Sequence, residues 1–76
     1  MSEFPRPAHI LRAHGGPFEG RAIDEVVQSP EGRTWLAGYI PSRPAKHQEI
    51  GLSWLRWALQ RPVTLDDLDT IAGSHP

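Results

Sequence analysis

A chain of 76 residues carries material for one domain, and at that size the burial gained on folding only narrowly exceeds the entropy lost. It has no cysteine, which excludes disulfides and thiolate zinc sites and fits a reducing compartment. Eight Lys and Arg against nine Asp and Glu leave a net charge of −1, too balanced to advertise indiscriminate binding to nucleic acid.

The opening stretch MSEFPRPAHILRAHGG lacks the continuous apolar run of a signal peptide, and no later stretch approaches the roughly 20 apolar residues of a membrane span. The expectation is a cytoplasmic protein with no membrane partner. Residues 1 to 8 contain Pro5 and Pro7 around Arg6 and read as a flexible, extended arm ahead of a compact domain over residues 9 to 73. His9 to His14 alternates partly with period two, Gly15-Gly16 follows as a turn, and Glu19 to Ile23 is a second short segment. Together they predict a β-hairpin.

Ile23, Val26 and Val27 lie at helical spacing and suit one short turn facing the core. Ser29-Pro30-Glu31 is a helix start: a hydroxyl for the orphan amides, a proline where its missing N–H costs nothing, and an acid at the positive end. Trp35, Leu36, Tyr39 and Ile40 then make one apolar stripe, which Pro41 cuts short, with Arg33 and Thr34 turned away. After Pro41-Ser42-Arg43-Pro44 a third element carries Ile50, Trp54, Trp57 and Ala58 on one stripe and Leu52, Leu55 and Leu59 beside it, until Pro62. Thr64 caps a last helix with acids in its first turn and Leu65, Leu68, Ile71 and Ala72 inward; Gly73 ends it in the left-handed conformation, and 74 to 76 form a tail.

The run Gly16-Pro17-Phe18-Glu19-Gly20-Arg21-Ala22-Ile23-Asp24-Glu25-Val26, followed by Ser29-Pro30-Glu31-Gly32-Arg33-Thr34-Trp35-Leu36, resembles the small C-terminal module of exodeoxyribonuclease X-like proteins and its stand-alone bacterial and phage relatives. In that family a Gly, basic, aromatic, basic, Gly turn is followed by an acidic-Val helix start and a Gly-x-x-x-Trp-Leu helix. Phe18, Gly20, Ile23, Glu25, Val26, Gly32, Trp35 and Leu36 match by type, over residues 9 to 37. The resemblance implies a compact hairpin-plus-helices module attached to nucleic-acid processing, without catalytic residues. Where relatives tend to carry Lys in the turn this chain has Pro17 and Glu19, so only Arg21 keeps the basic character.

No constellation for catalysis or a cofactor is present in the pattern. Ser29, Ser42 and Ser53 lack a nucleophile-elbow setting, Gly15-Gly16-Pro17 lacks a phosphate-loop lysine and a following helix, and the enzyme class is therefore set aside. His9, His14, His47 and His75 have no ligand partner at useful spacing, and Asp66, Asp67 and Asp69 complement a helix dipole, so no metal is expected. Arg12, Arg21 and Arg33 beside Phe18 are the candidate contact surface, suited to a stacked base, to an acidic protein groove, or merely to solvent. Arg43 and Lys46 in the basic stretch up to His47 extend it. Trp54 and Trp57 belong to a helix with more apolar surface than a small domain readily hides, so Trp57 is a candidate for an interface with a partner or a second copy.

The sequence thus predicts an α+β fold, a small N-terminal β-hairpin packed on two to three short helices, with Trp35, Leu36, Tyr39, Ile40, Ile50, Trp54 and Leu55 in the core. For function it predicts a non-enzymatic module, needing no cofactor, that docks as a regulator on a larger enzyme of transcription or DNA processing such as RNA polymerase or a nuclease. Direct nucleic-acid binding and homo-oligomerisation are the alternatives.

Overall fold

The computed structural model describes residues 3–73. Its helices are α1 (Ile23–Val26), α2 (Pro30–Tyr39), α3 (Ala45–Leu59) and α4 (Leu65–Ala72), with single 3-10 turns at Gly16–Phe18 and Ile40–Ser42. The expected α+β architecture is corrected: among the described residues there is no strand, and the protein is a small helical domain.

What stands where the hairpin was expected is one antiparallel bridge, Arg12 with Ala22. The Ala13 amide donates to Arg21 O at 2.9 Å, Gly20 to Ala13 O at 2.9 Å, and Ile23 to Leu11 O at 2.8 Å. Pairing stops there for a local reason. The intervening residues coil into a 3-10 turn, with Gly15 and Gly16 at φ 80° and 71°, and Ile23 leaves the extended conformation at once to begin α1. Gly16 is doubly constrained, since a Cβ on it would stand 2.6 Å from the Trp35 indole nitrogen.

Ser29 opens α2 as its residue type dictates: extended backbone, Pro30 at the first helical position, and Oγ accepting from the Gly32 amide at 3.0 Å. Pro41 then tightens the chain into the Ile40–Ser42 turn, which the Ser42 hydroxyl fastens to Tyr39 O at 2.7 Å. α3 ends on Gln60, a left-handed residue at φ 53°. At α4 the Asp67 carboxylate accepts from the Thr64 amide at 2.9 Å, the reach-back of a capping box. The left-handed stop expected at Gly73 is absent there, where φ is −96°; α4 unwinds instead with the Gly73 amide bonded to Asp69 O. The tail at 74 to 76 lies outside the described residues.

The core unites Ile23 and Val27 of the α1 region, Leu36, Ala37 and Ile40 of α2 and its turn, Leu52, Trp54 and Leu55 of α3, and Val63 and Leu68. Burying such side chains contributes about 1.5–3 kcal/mol each, which is what such a short chain has to set against its entropy. α4 lies against α2, and α1 against both α2 and α3. Of the expected core, Leu36, Ile40, Trp54 and Leu55 are buried, while Trp35, Tyr39 and Ile50 are only partly covered.

The N-terminal segment is laid on α3. The Trp54 indole N–H donates to His9 O at 2.8 Å, and the Gln60 side-chain Nε2 donates to Phe4 O at 2.8 Å. Arg6 sits 5.3 Å above the Trp54 ring and 5.9 Å from Trp57, and pairs with Asp24 at 3.0 Å. Among the described residues no helix is long and apolar enough to cross a membrane.

Candidate functional site

One short-range rule builds the most distinctive surface. Trp35, Tyr39 and Arg43 follow one another at intervals of four, so that on a helix continued by a 3-10 turn they rise one above the next. The rings of Trp35 and Tyr39 stack at 4.6 Å and 18°, the Arg43 guanidinium lies 5.3 Å from the Tyr39 centroid, and Phe18 leans on Trp35 at 5.5 Å. Arg43 is further held through its amide, which donates to Ile40 O at 3.0 Å. Its guanidinium is therefore placed by a ring face and not by a carboxylate.

Across from it stands Arg12, carried by the antiparallel bridge. Its Nη1 donates to Gly20 O at 3.0 Å, again a neutral partner. Between the two lies a recess with a cavity volume of about 80 Å³, walled by Arg12, His14, Tyr39, Arg43 and His47. Its floor is Ile23, Leu36, Ile40 and Gly51, all buried. None of the lining side chains is acidic. The two ion pairs that the described residues form, Arg6 with Asp24 and Arg56 with Glu49, use other cations, so Arg12 and Arg43 keep their charge uncompensated among those residues. A guanidinium fixed in place with its charge unspent is suited to an external anion, because little side-chain entropy is left to lose on binding.

The other expected contact residues are distributed differently. Phe18 joins the site indirectly, as the base of the aromatic stack. Arg33 does not: its guanidinium turns back to the Val27 carbonyl at 2.9 Å, satisfying the end of α1. Arg33 instead shares a shallow hollow with the half-buried Trp57, which meets Trp54 edge-on at 5.5 Å and 88°. Arg21 and Lys46 are exposed and line no recess with Arg12.

Two members of the site escaped the sequence reading. Tyr39 was assigned to the core, and its spacing of four to Arg43 was the available signal. His14 was named as part of no contact surface, while His47 closed the basic stretch that began at Arg43; nothing short of the tertiary fold brings residues 14 and 47 to one rim. Each imidazole offers at least one ring N–H donor there. No family model, no curated protein and no solved structure matches this chain, and its function is argued from the site itself.

Proposed function

We propose that the protein is a small non-enzymatic binding module acting on nucleic-acid machinery, and that it touches single-stranded nucleic acid directly through the recess between Arg12 and Arg43. The observation that carries this reading is the pair of guanidiniums supported by neutral groups on either side of a recess that no acid lines. Guanidiniums recognise phosphate oxygens by paired N–H donors, and the Trp35–Tyr39 stack holds the Arg43 guanidinium in place for that contact. Near-neutral overall charge fits a contact confined to one locus rather than spread over a basic face. The resemblance to a module of exonuclease-like proteins supports a place in nucleic-acid processing, and the cysteine-free composition supports action in the cytoplasm.

The test is a salt titration of binding to a short single-stranded oligonucleotide. Two phosphate charges neutralised by Arg12 and Arg43 give a slope of about −1.4 in log affinity against log salt, and Arg43→Gln removes about half of it. A slope near zero refutes direct phosphate contact.

A second reading is favoured by the apolar floor of the recess beneath its two guanidiniums: docking on a larger protein such as RNA polymerase or a nuclease through an acidic, apolar segment of that partner. Capture of a defined polymerase or nuclease subunit that survives nuclease treatment, with Arg43→Gln abolishing it, is the outcome expected on that reading. A partner that vanishes with the nucleic acid excludes it.

A further inference from the structure

A groove that follows a strand is open at both ends, whereas this recess is blind. Ile23, Leu36 and Ile40 at its floor are 1%, 2% and 1% exposed, and behind them lies the centre of the core. Around the rim, N–H donors converge from three separate parts of the chain: Arg12 and His14 from the bridge segment, Arg43 from the turn after α2, and His47 from the first turn of α3.

We infer that this recess takes the phosphorylated end of a single strand, a terminal phosphomonoester, in preference to an internal phosphodiester. The inference rests on the nucleic-acid reading above and narrows its ligand. An internal phosphodiester carries one negative charge and is flanked by sugar on both sides, so a strand presenting it must run in and out again. A terminal phosphomonoester carries about −1.5 to −2 charge near neutral pH and offers three acceptor oxygens on its free side. That matches two guanidiniums and two imidazoles arranged about a closed end, with no carboxylate to repel the second charge. The attached nucleoside then rests at the mouth, beside Tyr39, whose ring is already fixed between Trp35 and Arg43. Uncompensated, preplaced cations around the rim of a recess closed by a buried floor meet more free oxygens on a chain terminus than on a passing strand.

The experiment compares one oligonucleotide sequence in three forms, 5′-phosphorylated, 3′-phosphorylated and hydroxyl at both ends, by fluorescence anisotropy with an internal label. Charge-assisted hydrogen bonds to the extra charge predict that a phosphorylated form binds about tenfold or more tighter than the hydroxyl form, and the two phosphorylated forms show which terminus is read. Inorganic phosphate competes for that advantage. Arg12→Gln and Arg43→Gln each bring the ratio close to one, with circular dichroism reporting that the helices persist, and either variant alone suffices if the other does not fold. Arg61→Gln, which changes an exposed cation away from this recess, keeps the ratio. Equal, salt-sensitive binding of all three forms overturns the end preference and leaves the strand reading standing. A preference that survives both substitutions places the phosphate elsewhere and also overturns it. Failure of every form to bind overturns both.

Discussion

Two glycines in the same helix make opposite predictions when replaced by alanine. Helix propensity alone favours the change at either position by about 1 kcal/mol. Gly38 is exposed, and a Cβ there meets only the Ala72 Cβ at an ordinary 3.9 Å, so Gly38→Ala is expected to stabilise the protein by about 0.5–1 kcal/mol. Gly32 is buried where the first turn of α2 crosses the end of α1, and a Cβ there collides with the Val26 carbonyl and stands 2.9 Å from Ser29 Oγ. That carbonyl is backbone and cannot rotate aside, and Ser29 Oγ is crowded as well, so α1 must move off and the capped first turn of α2 must shift with it. Moving α1 uncovers much of Val26, now 1% exposed, which costs about 1.5–3 kcal/mol, and disturbing the Ser29 cap costs about 1 kcal/mol more. Set against the propensity gain, the net loss for Gly32→Ala is about 2 kcal/mol, or a melting temperature lower by about 8–16 °C in a domain of this size. Thermal and denaturant unfolding followed by circular dichroism measures both variants. Gly32→Ala as stable as the parent, or shifted in the same direction as Gly38→Ala, refutes the packing argument for the α1–α2 crossing.

Other substitutions follow from the same contacts. Ser29→Ala removes the acceptor for the Gly32 amide and is expected to cost about 1 kcal/mol in denaturant unfolding, with Ser29→Asp restoring most of it. Trp54→Phe deletes the indole donor to His9 and part of a fully buried ring, costing about 2 kcal/mol. Its distinguishing readout is faster amide exchange in the N-terminal segment than in α2. Asp67→Ala, which deprives the Thr64 amide of its acceptor, is expected to cost about 1 kcal/mol and to fray α4 first, seen as earlier loss of protection from residue 65 onward.

Much of the helical layout was legible because it depends on local chemistry. Ser29-Pro30 and Thr64 announce helix starts through their own side chains, and Pro41 and Pro44 interrupt the backbone whatever surrounds them. The hairpin was misjudged because alternation over His9 to His14 says nothing about how many residues remain to pair once Pro17 and Phe18 curl into a 3-10 turn and Ile23 starts a helix. Arg33 was expected beside Arg12; its actual partner, the Val27 carbonyl, becomes available only because α1 ends next to α2. The Arg43 position was named from sequence, yet what gives it meaning is Tyr39 beneath it and Arg12 across from it, one a matter of spacing and the other of tertiary approach. Trp57 drew attention as an apolar surplus on α3, and the contacts of Arg6, Phe4 and His9 with that helix could not be read from a proline-rich stretch.

Those contacts tie together segments 45 and 56 residues apart in the chain. A polypeptide emerging from the ribosome must therefore hold Phe4 and His9 without these partners until Gln60 and Trp54 are released, and any shortened chain ending before residue 54 leaves Ile23 and Val27 without the buried ring that joins them in the core. Folding of such a molecule is a late event in its synthesis, slowed by closure of a long loop, and its early segments are the ones most exposed to proteases in the interval.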